Sequence, residues 1–382
     1  MKKINIKNDQ LQIYKRENSN LWQLKIKLPK KKAIRISSGT KILIEAKKIG
    51  IQKYNHLLNN EIKKIQIDKT YFYKKIHLIE SENLNKKEIE CFLDTSNKYI
   101  EFNKKRIKKS NILEGRTVFN LFFEDSTRTR TSFEVAAKRL GADLINVAVK
   151  DSSINKGETL LDTMTTINSM SPDVIILRHP EEGISKKISK IVKSSVINAG
   201  DGSHEHPTQA LLDALTIRKK FKKFKGLKIA ICGDILHSRV ARSNIEILST
   251  LGASINIIGP KSLIPLDLKR KKLNIYYNMK KGLKNCDIVM MLRIQKERIV
   301  GTHILNEKEY FNQYGLDYKK LSYAKKNAFV MHPGPMNRGV EIETNLADDI
   351  SRSLIQEQVT MGVAIRMACL EILVNNRDKY GS

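Results

Sequence analysis

The residues best suited to chemistry lie in one short segment, where two arginines alternate with hydroxyl side chains. It reads Phe-Glu-Asp-Ser-Thr-Arg-Thr-Arg-Thr over residues 123–131, between an apolar run and an amphipathic helical pattern. Free backbone N–H groups and the helix dipole favour an anion at such a helix start. Arg128 can also donate two hydrogen bonds to phosphate oxygens. The segment therefore predicts a phosphate-binding loop where a strand passes into a helix.

This segment is similar to the phosphate-binding signature of the aspartate/ornithine carbamoyltransferase family, and the resemblance continues in order along residues 76–382. The next matching motifs are Arg178-His179-Pro180, Asn198-Ala199-Gly200-Asp201-Gly202 and His206-Pro207-Thr208-Gln209. The resemblance implies that carbamoyl phosphate is bound by Ser126, Thr127, Arg128, Thr129, Arg178, His206 and Gln209. It also implies that the carbamoyl nitrogen donates to two backbone carbonyls, those of Gly334 and Pro335.

The chemistry of carbamoyl transfer assigns roles within this set. An amine adds to the carbonyl carbon and phosphate departs, so negative charge grows on the carbonyl oxygen and on the leaving group. Donors aimed at those oxygens lower the barrier. The catalytic set is predicted to be Arg128, Thr129, Arg178 and His206. Because the departing phosphate can accept the amine proton, no dedicated base is expected. No His/Asp/Glu cluster has metal-ligand spacing, so no metal is expected, and no cofactor is predicted.

The acceptor must be inferred from other residues, because ornithine carbamoyltransferases share the phosphate-binding half. A dicarboxylic acceptor requires cations, and the residues that align with aspartate-binding positions of the family are Lys156, Arg239, Arg293 and Gln295. Ornithine enzymes usually carry His-Cys-Leu-Pro where this chain has His-Pro-Gly-Pro at 332–335. The resemblance therefore implies formation of N-carbamoyl-L-aspartate, an early step of de novo pyrimidine biosynthesis. Ornithine carbamoyl transfer is the alternative, and citrulline formation would reveal it.

Lys156 has a further implication, since in the family it belongs with Ser152 to a loop that enters the neighbouring subunit's active site. The resemblance thus implies a homotrimer with shared active sites. Asn155 stands where some aspartate enzymes have a second lysine, so only one lysine is carried over. Asp125 adds a negative charge beside the phosphate loop and is expected to point away from it.

Alternating strand and helix patterns must position these residues, and they indicate an α/β protein with two doubly wound parallel-sheet domains. The predicted strands are Thr117–Phe123, Val174–Leu177, Leu227–Cys232, Ser254–Ile258, Ile288–Leu292 and Ala328–Met331. The predicted helices are 86–105, 126–141 with Ser126 as N-cap, 208–218, 239–251 and 353–375. A carbamoyl-phosphate-binding domain is expected at 76–218, completed by the closing segment 353–382, with an aspartate-binding domain at 219–352.

Residues 1–75 precede this pattern and hold 18 Lys and 2 Arg against 5 acidic residues, within a chain of net charge +30. They read as a small basic α+β appendage with strands at 11–14, 22–28 and 33–37 and a helix at 42–65. The order is similar to the arm-binding domain that begins phage-type tyrosine recombinases, which implies nucleic-acid contact. A relic of gene fusion and a solvated lysine-rich module remain alternatives, as does a nucleic-acid-binding protein whose transferase part is inactive.

The composition excludes several other classes. No run of 18 apolar residues occurs and no apolar segment follows the first lysines, so neither a membrane span nor a secretory signal is expected. The four cysteines are widely spaced without a CxxC pair, which predicts a reducing cytoplasm and no zinc site. The Gly233-Asp234 turn lacks the remaining glycines of a dinucleotide fingerprint, so NAD is not expected.

Overall fold

The computed structural model describes residues 3–6, 9–28, 32–67, 71–147, 159–266, 268, 273–295 and 306–381. The chain divides into two compact units, Met1–Thr70 and Tyr71–Ser382. None of the described helices is both long enough and apolar enough to cross a bilayer.

The first unit is an antiparallel sheet packed on one helix. Its elements are β1 (Lys3–Ile6), β2 (Leu11–Lys15), β3 (Trp22–Ile26), β4 (Ile34–Ser37) and α1 (Leu43–Ile67), with the strands paired in chain order. Apolar and polar residues alternate along β2 and β3, so one face of the sheet is apolar and packs against Ala46 and Tyr54 of α1. Gly50 allows this close approach, since a Cβ there would lie 3.2 Å from Leu24. The sequence predicts β2, β3, β4 and α1 but not β1, which is short and half polar.

The second unit begins with a helix and a parallel sheet. The elements are α2 (Lys86–Phe102), β5 (Thr117–Phe122), α3 (Thr127–Leu140), β6 (Asp143–Val147), α4 (Leu160–Ser169), β7 (Val174–His179), α5 (Ile184–Ser189), β8 (Ser195–Asp201) and α6 (Pro207–Phe221). In the described part of the chain the strand order is β6-β5-β7-β8, and every pairing is parallel. The central strand β5 is buried on both faces, which explains its uninterrupted apolar run.

A second parallel sheet follows. Its elements are β9 (Lys228–Cys232), α7 (Arg239–Thr250), β10 (Ser254–Ile258), β11 (Asn274–Tyr276), α8 (Met279–Leu283), β12 (Ile288–Met291), α9 (Glu307–Gln313), α10 (Tyr318–Leu321), β13 (Phe329–Met331), α11 (Thr344–Asp348) and α12 (Ile355–Tyr380). Among described residues the order is β11-β10-β9-β12-β13. The predicted α/β class with two parallel sheets and a closing helix is confirmed.

The closing helix α12 packs against α2, α3 and α6 of the first parallel sheet. It is apolar around most of its circumference because it is buried for most of its length. Glu371 fixes it to α2, since this carboxylate accepts hydrogen bonds from Lys98 Nζ (2.5 Å) and Tyr99 Oη (2.6 Å). Tyr71 Oη donates a third at 2.8 Å, and burial beside this carboxylate raises the tyrosine pKa.

Strand β8 is the principal element that the sequence analysis misses. It is fully buried although it contains Asn198 and Asp201, because these polar groups satisfy each other. The Asn198 amide donates to Asp201 Oδ1 at 3.0 Å and to the carbonyl of Ile79 at 3.0 Å. The first bond joins residues three positions apart and the second spans 119 positions. Neither is visible in an apolar pattern, so that pattern did not reveal the strand.

Candidate active site

One cavity of about 700 Å³ in the second unit collects the predicted site residues that the structure describes. They are Ser126, Thr127, Arg128, Thr129, Arg178, His206, Gln209, Arg239, Arg293, Gln295, Gly334 and Pro335. Lys156 and Ser152 lie outside the described residues. The geometry therefore unites residues from six separate chain segments, and their individual roles remain predictions.

The order of the strands explains why these segments converge. In the first parallel sheet, β6 lies on one side of β5 and β7 on the other, so the loops after β5 and β7 diverge to leave a crevice. The loop 123–126 and Arg178 lie at this crevice. In the second sheet β10 and β12 flank β9 in the same way. Arg239 and Arg293 follow β9 and β12, so each switch point contributes cations to the same cavity.

The start of α3 supplies the first group of donors. Ser126 has the extended backbone of an N-cap, as predicted, but its side chain makes no capping hydrogen bond. The predicted N-cap position is therefore confirmed, without a capping hydrogen bond from the hydroxyl. Thr127, Arg128 and Thr129 form the first helical turn, whose N–H groups have no partner within the helix. The turn can accordingly donate both backbone and side-chain hydrogen bonds to an anion.

Arg128 and Gly334 fit together closely. Arg128 Nη1 donates to the carbonyl oxygen of Pro333 at 3.0 Å, and partial burial lowers the pKa of its guanidinium. Gly334 has φ +61°, and a Cβ added there would lie only 1.2 Å from Arg128 Nη1. The backbone conformation thus favours glycine, and a larger residue would displace the Arg128 guanidinium from its place beside the Pro333 carbonyl.

Glu124 joins cations from both sheets. Its Oε2 lies 3.1 Å from Arg178 Nε and 2.7 Å from Arg239 Nη2. Arg239 also donates through Nη1 to the carbonyl of Gly202 at 2.9 Å, and it is only 6% exposed. This carboxylate therefore orients two predicted binding residues. The sequence analysis missed it, although an acidic residue directly before the phosphate loop was a visible signal.

His206 is a buried imidazole at the start of α6. Its backbone N–H donates to Ser243 Oγ at 2.8 Å, while its Nδ1 has no hydrogen-bond partner among the described residues. Burial and the nearby positive charges of Arg178, Arg239 and Arg366 hold its pKa well below the usual value. The ring is therefore neutral at neutral pH and can donate one N–H to an oxygen in the cavity.

Asp213 orients the amide of Gln209 from behind the cavity wall. This fully buried carboxylate accepts from Gln209 Nε2 (3.0 Å), Gln358 Nε2 (2.7 Å) and Asn244 Nδ2 (2.8 Å). An ionised carboxylate can only accept, so it engages the amide nitrogen of Gln209 and leaves the Gln209 carbonyl oxygen for a ligand. Burial raises the pKa of Asp213 to about 6, against the opposing effect of its hydrogen bonds.

The chain matches two domain models in sequence. The model described as aspartate/ornithine carbamoyltransferase, carbamoyl-P binding domain, matches residues 76–219, and the Asp/Orn binding domain of the same family matches 225–373. A curated aspartate carbamoyltransferase catalytic subunit from Parvibaculum lavamentivorans is 56% identical over 300 residues, covering 78% of this chain and 92% of that protein. This chain belongs to the aspartate carbamoyltransferase family.

Other relatives agree in sequence and in structure. The catalytic subunit from Pelagibacter ubique is 52% identical over 307 residues, covering 80% of this chain and 98% of that protein. The structure of aspartate transcarbamoylase from Trypanosoma cruzi in complex with carbamoyl phosphate and aspartate is 31% identical, with TM-score 0.69, and covers 78% of this chain and 97% of that chain. The catalytic subunit from M. jannaschii is 36% identical, also with TM-score 0.69, and covers 80% and 99%.

Arg366 is a cavity residue of α12 that the resemblance did not supply. It is 4% exposed, donates through Nη1 to Ser132 Oγ at 2.8 Å, and lies 4.9 Å from the centre of the Phe133 ring. Burial lowers its pKa to about 10, so it remains charged near pH 7. An arginine within an otherwise apolar stretch of helix was the signal that could have identified it.

Asp125 is exposed and lies among the residues that line the cavity. The expectation that its carboxylate points away from the phosphate loop stays a prediction. Together with Glu124, it places two acidic residues next to each other in the lining.

Another buried carboxylate, Asp234, supports the part of the cavity wall that contains Gln295. Asp234 Oδ2 accepts from the backbone N–H of Gln295 at 3.2 Å, and its Oδ1 lies 2.9 Å from His237 Nδ1. Gly233 precedes it with φ +121°, and a Cβ there would lie 3.0 Å from the carbonyl of Leu292. The turn that superficially resembles a dinucleotide site thus serves to bring the β9 and β12 loops together.

Proposed function

We propose that this chain transfers the carbamoyl group of carbamoyl phosphate to the amine of L-aspartate, giving N-carbamoyl-L-aspartate and phosphate. The observation that carries the proposal is the single cavity in which Arg128, Arg178 and His206 meet Arg239 and Arg293. Relatives named as aspartate carbamoyltransferase catalytic subunits and a related structure with both substrates support it.

The donor substrate is expected to lie at the start of α3. Its phosphate accepts hydrogen bonds from Ser126, Thr127 and Arg128, where the helix dipole also favours negative charge. Its carbonyl oxygen accepts from Thr129, Arg178 and the neutral ring of His206. Its nitrogen donates to acceptors on the opposite side, which are the Gln209 amide oxygen and the carbonyls of Gly334 and Pro335.

The reaction then needs an amine held above the carbonyl carbon. Arg239, Arg293 and Lys156 bind the two carboxylates of aspartate, with Gln295 as a further partner. The amine forms a C–N bond as the C–O bond to phosphate breaks, and the leaving phosphate takes the amine proton. The donors around the carbonyl oxygen stabilise the charge that develops there, so no covalent enzyme intermediate is required.

We infer that the active unit is a homotrimer, because Lys156 and Ser152 fall in the segment that the family shares between subunits. The proposed division places the carbamoyl-phosphate-binding domain at 76–218 with 353–382, and the aspartate-binding domain at 219–352. The four cysteines are all buried and form no disulfide, which fits the proposed cytoplasmic location. Aspartate carbamoylation would be an early step of pyrimidine biosynthesis there.

A competition assay tests the proposed activity directly. Purified chain is supplied with carbamoyl phosphate and either L-aspartate or L-ornithine, and both products are measured. Carbamoyl-aspartate alone is the expected product. Citrulline alone would replace the proposal with the ornithine reaction, and the absence of both products would favour an inactive transferase part.

A matched pair of variants then tests the phosphate loop. Arg128→Ala should lower kcat/KM by about 10²–10³-fold or more, because a charged donor to the leaving group is lost. Arg130→Ala, two positions further along α3, removes an exposed arginine that is absent from the cavity wall and should keep activity within about twofold. Equal losses in the two variants, with unchanged circular dichroism, would contradict the assignment.

A further inference from the structure

The Met1–Thr70 unit has a polar surface that the proposed reaction does not use. Alternation along its strands directs one set of side chains toward α1 and the other set away from it. The side chains directed away from α1 form the open sheet face. They are Lys3, Asn5, Gln12, Tyr14, Gln23, Lys25, Arg35 and Ser37, all exposed or half-buried.

Strand register arranges the open sheet face in two rows. One row crosses all four strands as Asn5, Gln12, Lys25 and Arg35, and the other as Lys3, Tyr14, Gln23 and Ser37. Every member carries a hydrogen-bonding group, and neither row contains a carboxylate. Several members are cations or amides, which donate hydrogen bonds, so the face is equipped to bind an acceptor-rich, negatively charged surface.

The most informative pair on this face is Lys25 and Arg35. They are directly opposite each other on β3 and β4, where side chains stand roughly 5 Å apart. Like charges in this position destabilise a sheet. Neither residue forms an ion pair with a carboxylate in the described part of the chain. The repulsion is thus not offset within the described protein, and an external anion would offset it.

We propose that the open sheet face binds double-stranded DNA through its phosphate backbone and major groove. A regular polyanion matches a row of cations, since duplex DNA carries about one charge per 1.7 Å of its axis. Adjacent strands are about 4.8 Å apart, so a pair of them fits a major groove about 12 Å wide. Amide side chains such as Gln12 and Gln23 can pair with base edges there.

The same face is less suited to other polyanions. Single-stranded nucleic acids are usually bound by several exposed aromatic rings, whereas Tyr14 is the only aromatic residue of the open sheet face and is half-buried. A membrane surface would require apolar side chains beside the cations, and these point toward α1 instead. Duplex DNA therefore fits the composition of the face better than either.

The test uses the full chain and a fluorescent random-sequence duplex of about two helical turns, with binding measured by anisotropy at about 50 and 200 mM salt. Binding in the micromolar range at the lower salt is expected, weakening steeply at the higher. The double variant Lys25→Gln with Arg35→Gln should weaken binding about tenfold and reduce the slope of log Kd against log salt by about 1.8, or 0.9 per lost phosphate contact.

A double variant on α1 is the matched control, because Lys48→Gln with Lys53→Gln removes the same charge from exposed helix positions. It should change affinity by less than about twofold and leave most of the salt slope. Equal weakening by both pairs would overturn the proposal, as would tighter binding of a single-stranded RNA of equal length or no duplex binding at the lower salt.

Thermal unfolding verifies that the variants are folded. Removing two adjacent cations from outside the core should leave Tm unchanged or slightly raised. If the double variant did not fold, Lys25→Gln alone should still reduce the salt slope by about 0.9. Carbamoyl-aspartate formation by the same samples is independent of this result, so failure of DNA binding and failure of the enzymatic proposal are distinguishable.

Discussion

The cavity of the Tyr71–Ser382 unit and the open sheet face of the Met1–Thr70 unit are both rich in cations, yet they hold them differently. In the cavity Arg239 is buried and fixed by Glu124 and the carbonyl of Gly202. On the sheet, Lys25 and Arg35 stand side by side without a carboxylate partner among described residues. In the cavity, anchoring fixes the direction in which the cation donates its hydrogen bonds. On the open sheet face, the cations can change conformation to suit a ligand.

If both proposals hold, burial and anchoring, rather than positive charge alone, select the ligand of each region. Anchored cations in a concave, partly dehydrated site suit a small anion of fixed shape, where hydrogen bonds are strong and directional. Solvated cations on a flat face suit a long polyanion, with binding dominated by salt-sensitive attraction. Substitutions in the two regions should therefore have effects of different size and kind.

The largest effect is expected for His206→Ala. Loss of the neutral donor to the carbonyl oxygen should lower kcat by about 10²–10³-fold. The half-exposed His204, absent from the cavity wall, provides the control variant His204→Ala, which should retain most activity. Steady-state rates are measured for the two folded variants and compared. Near-normal turnover by His206→Ala would show that this donor is not catalytic.

A smaller and more selective effect is expected for Arg293→Ala. A charged hydrogen bond contributes about 1.5–3 kcal/mol, so KM for aspartate should rise about 10–100-fold. KM for carbamoyl phosphate should change little, because Arg293 belongs to the acceptor side. Initial rates with each substrate varied in turn separate the two effects, and a rise confined to carbamoyl phosphate would contradict the division of the cavity.

The third prediction concerns pH. Because the pKa of Asp213 is raised to about 6, the carboxylate becomes protonated below that pH and loses acceptor capacity for the Gln209 and Gln358 amides. Activity should therefore fall as pH decreases through about 6. Asp213→Asn cannot titrate, so it should have lower maximal activity and lack this acidic limb, and a limb that persists in the variant would assign it to another group.

The raised pKa of Asp213 also makes the stability of the fold depend on pH, in the opposite direction to activity. A carboxyl group whose pKa is higher in the folded protein than in the unfolded chain stabilises the fold most at low pH. Its contribution is lost as pH rises from the unfolded value of 3.8 to about 6. Asp213→Asn should remove this dependence from the free energy of unfolding, measured by denaturant titration across that interval.

The smallest effect is expected for the double variant Lys25→Gln with Arg35→Gln on carbamoyl transfer. Its kcat/KM should stay within about twofold of the unchanged protein, since surface substitutions away from a site are usually near neutral. Assays at low and high salt test this expectation. A tenfold loss of carbamoyl-transfer activity would show that the two basic regions are functionally coupled, contrary to the independence expected of them.

The sequence by itself determined the phosphate loop, the α/β class and most of the strands around the cavity. These features are local: an apolar run, a short hydroxyl- and arginine-rich turn and an amphipathic helix lie next to one another at 117–141. Family motifs extended the inference to Arg178, His206 and Arg239. The sequence likewise predicted three of the four strands and the helix of the appendage.

Only the tertiary structure decided which charges support these residues. Glu124 meets Arg239 across 115 positions, and Asp213 meets Gln358 across 145. Arg366 reaches the cavity from α12, and Lys25 faces Arg35 only because β3 and β4 pair in one register. Such contacts depend on the crossing of strands and helices that are distant in sequence, and local hydrophobic periodicity contains no information about them.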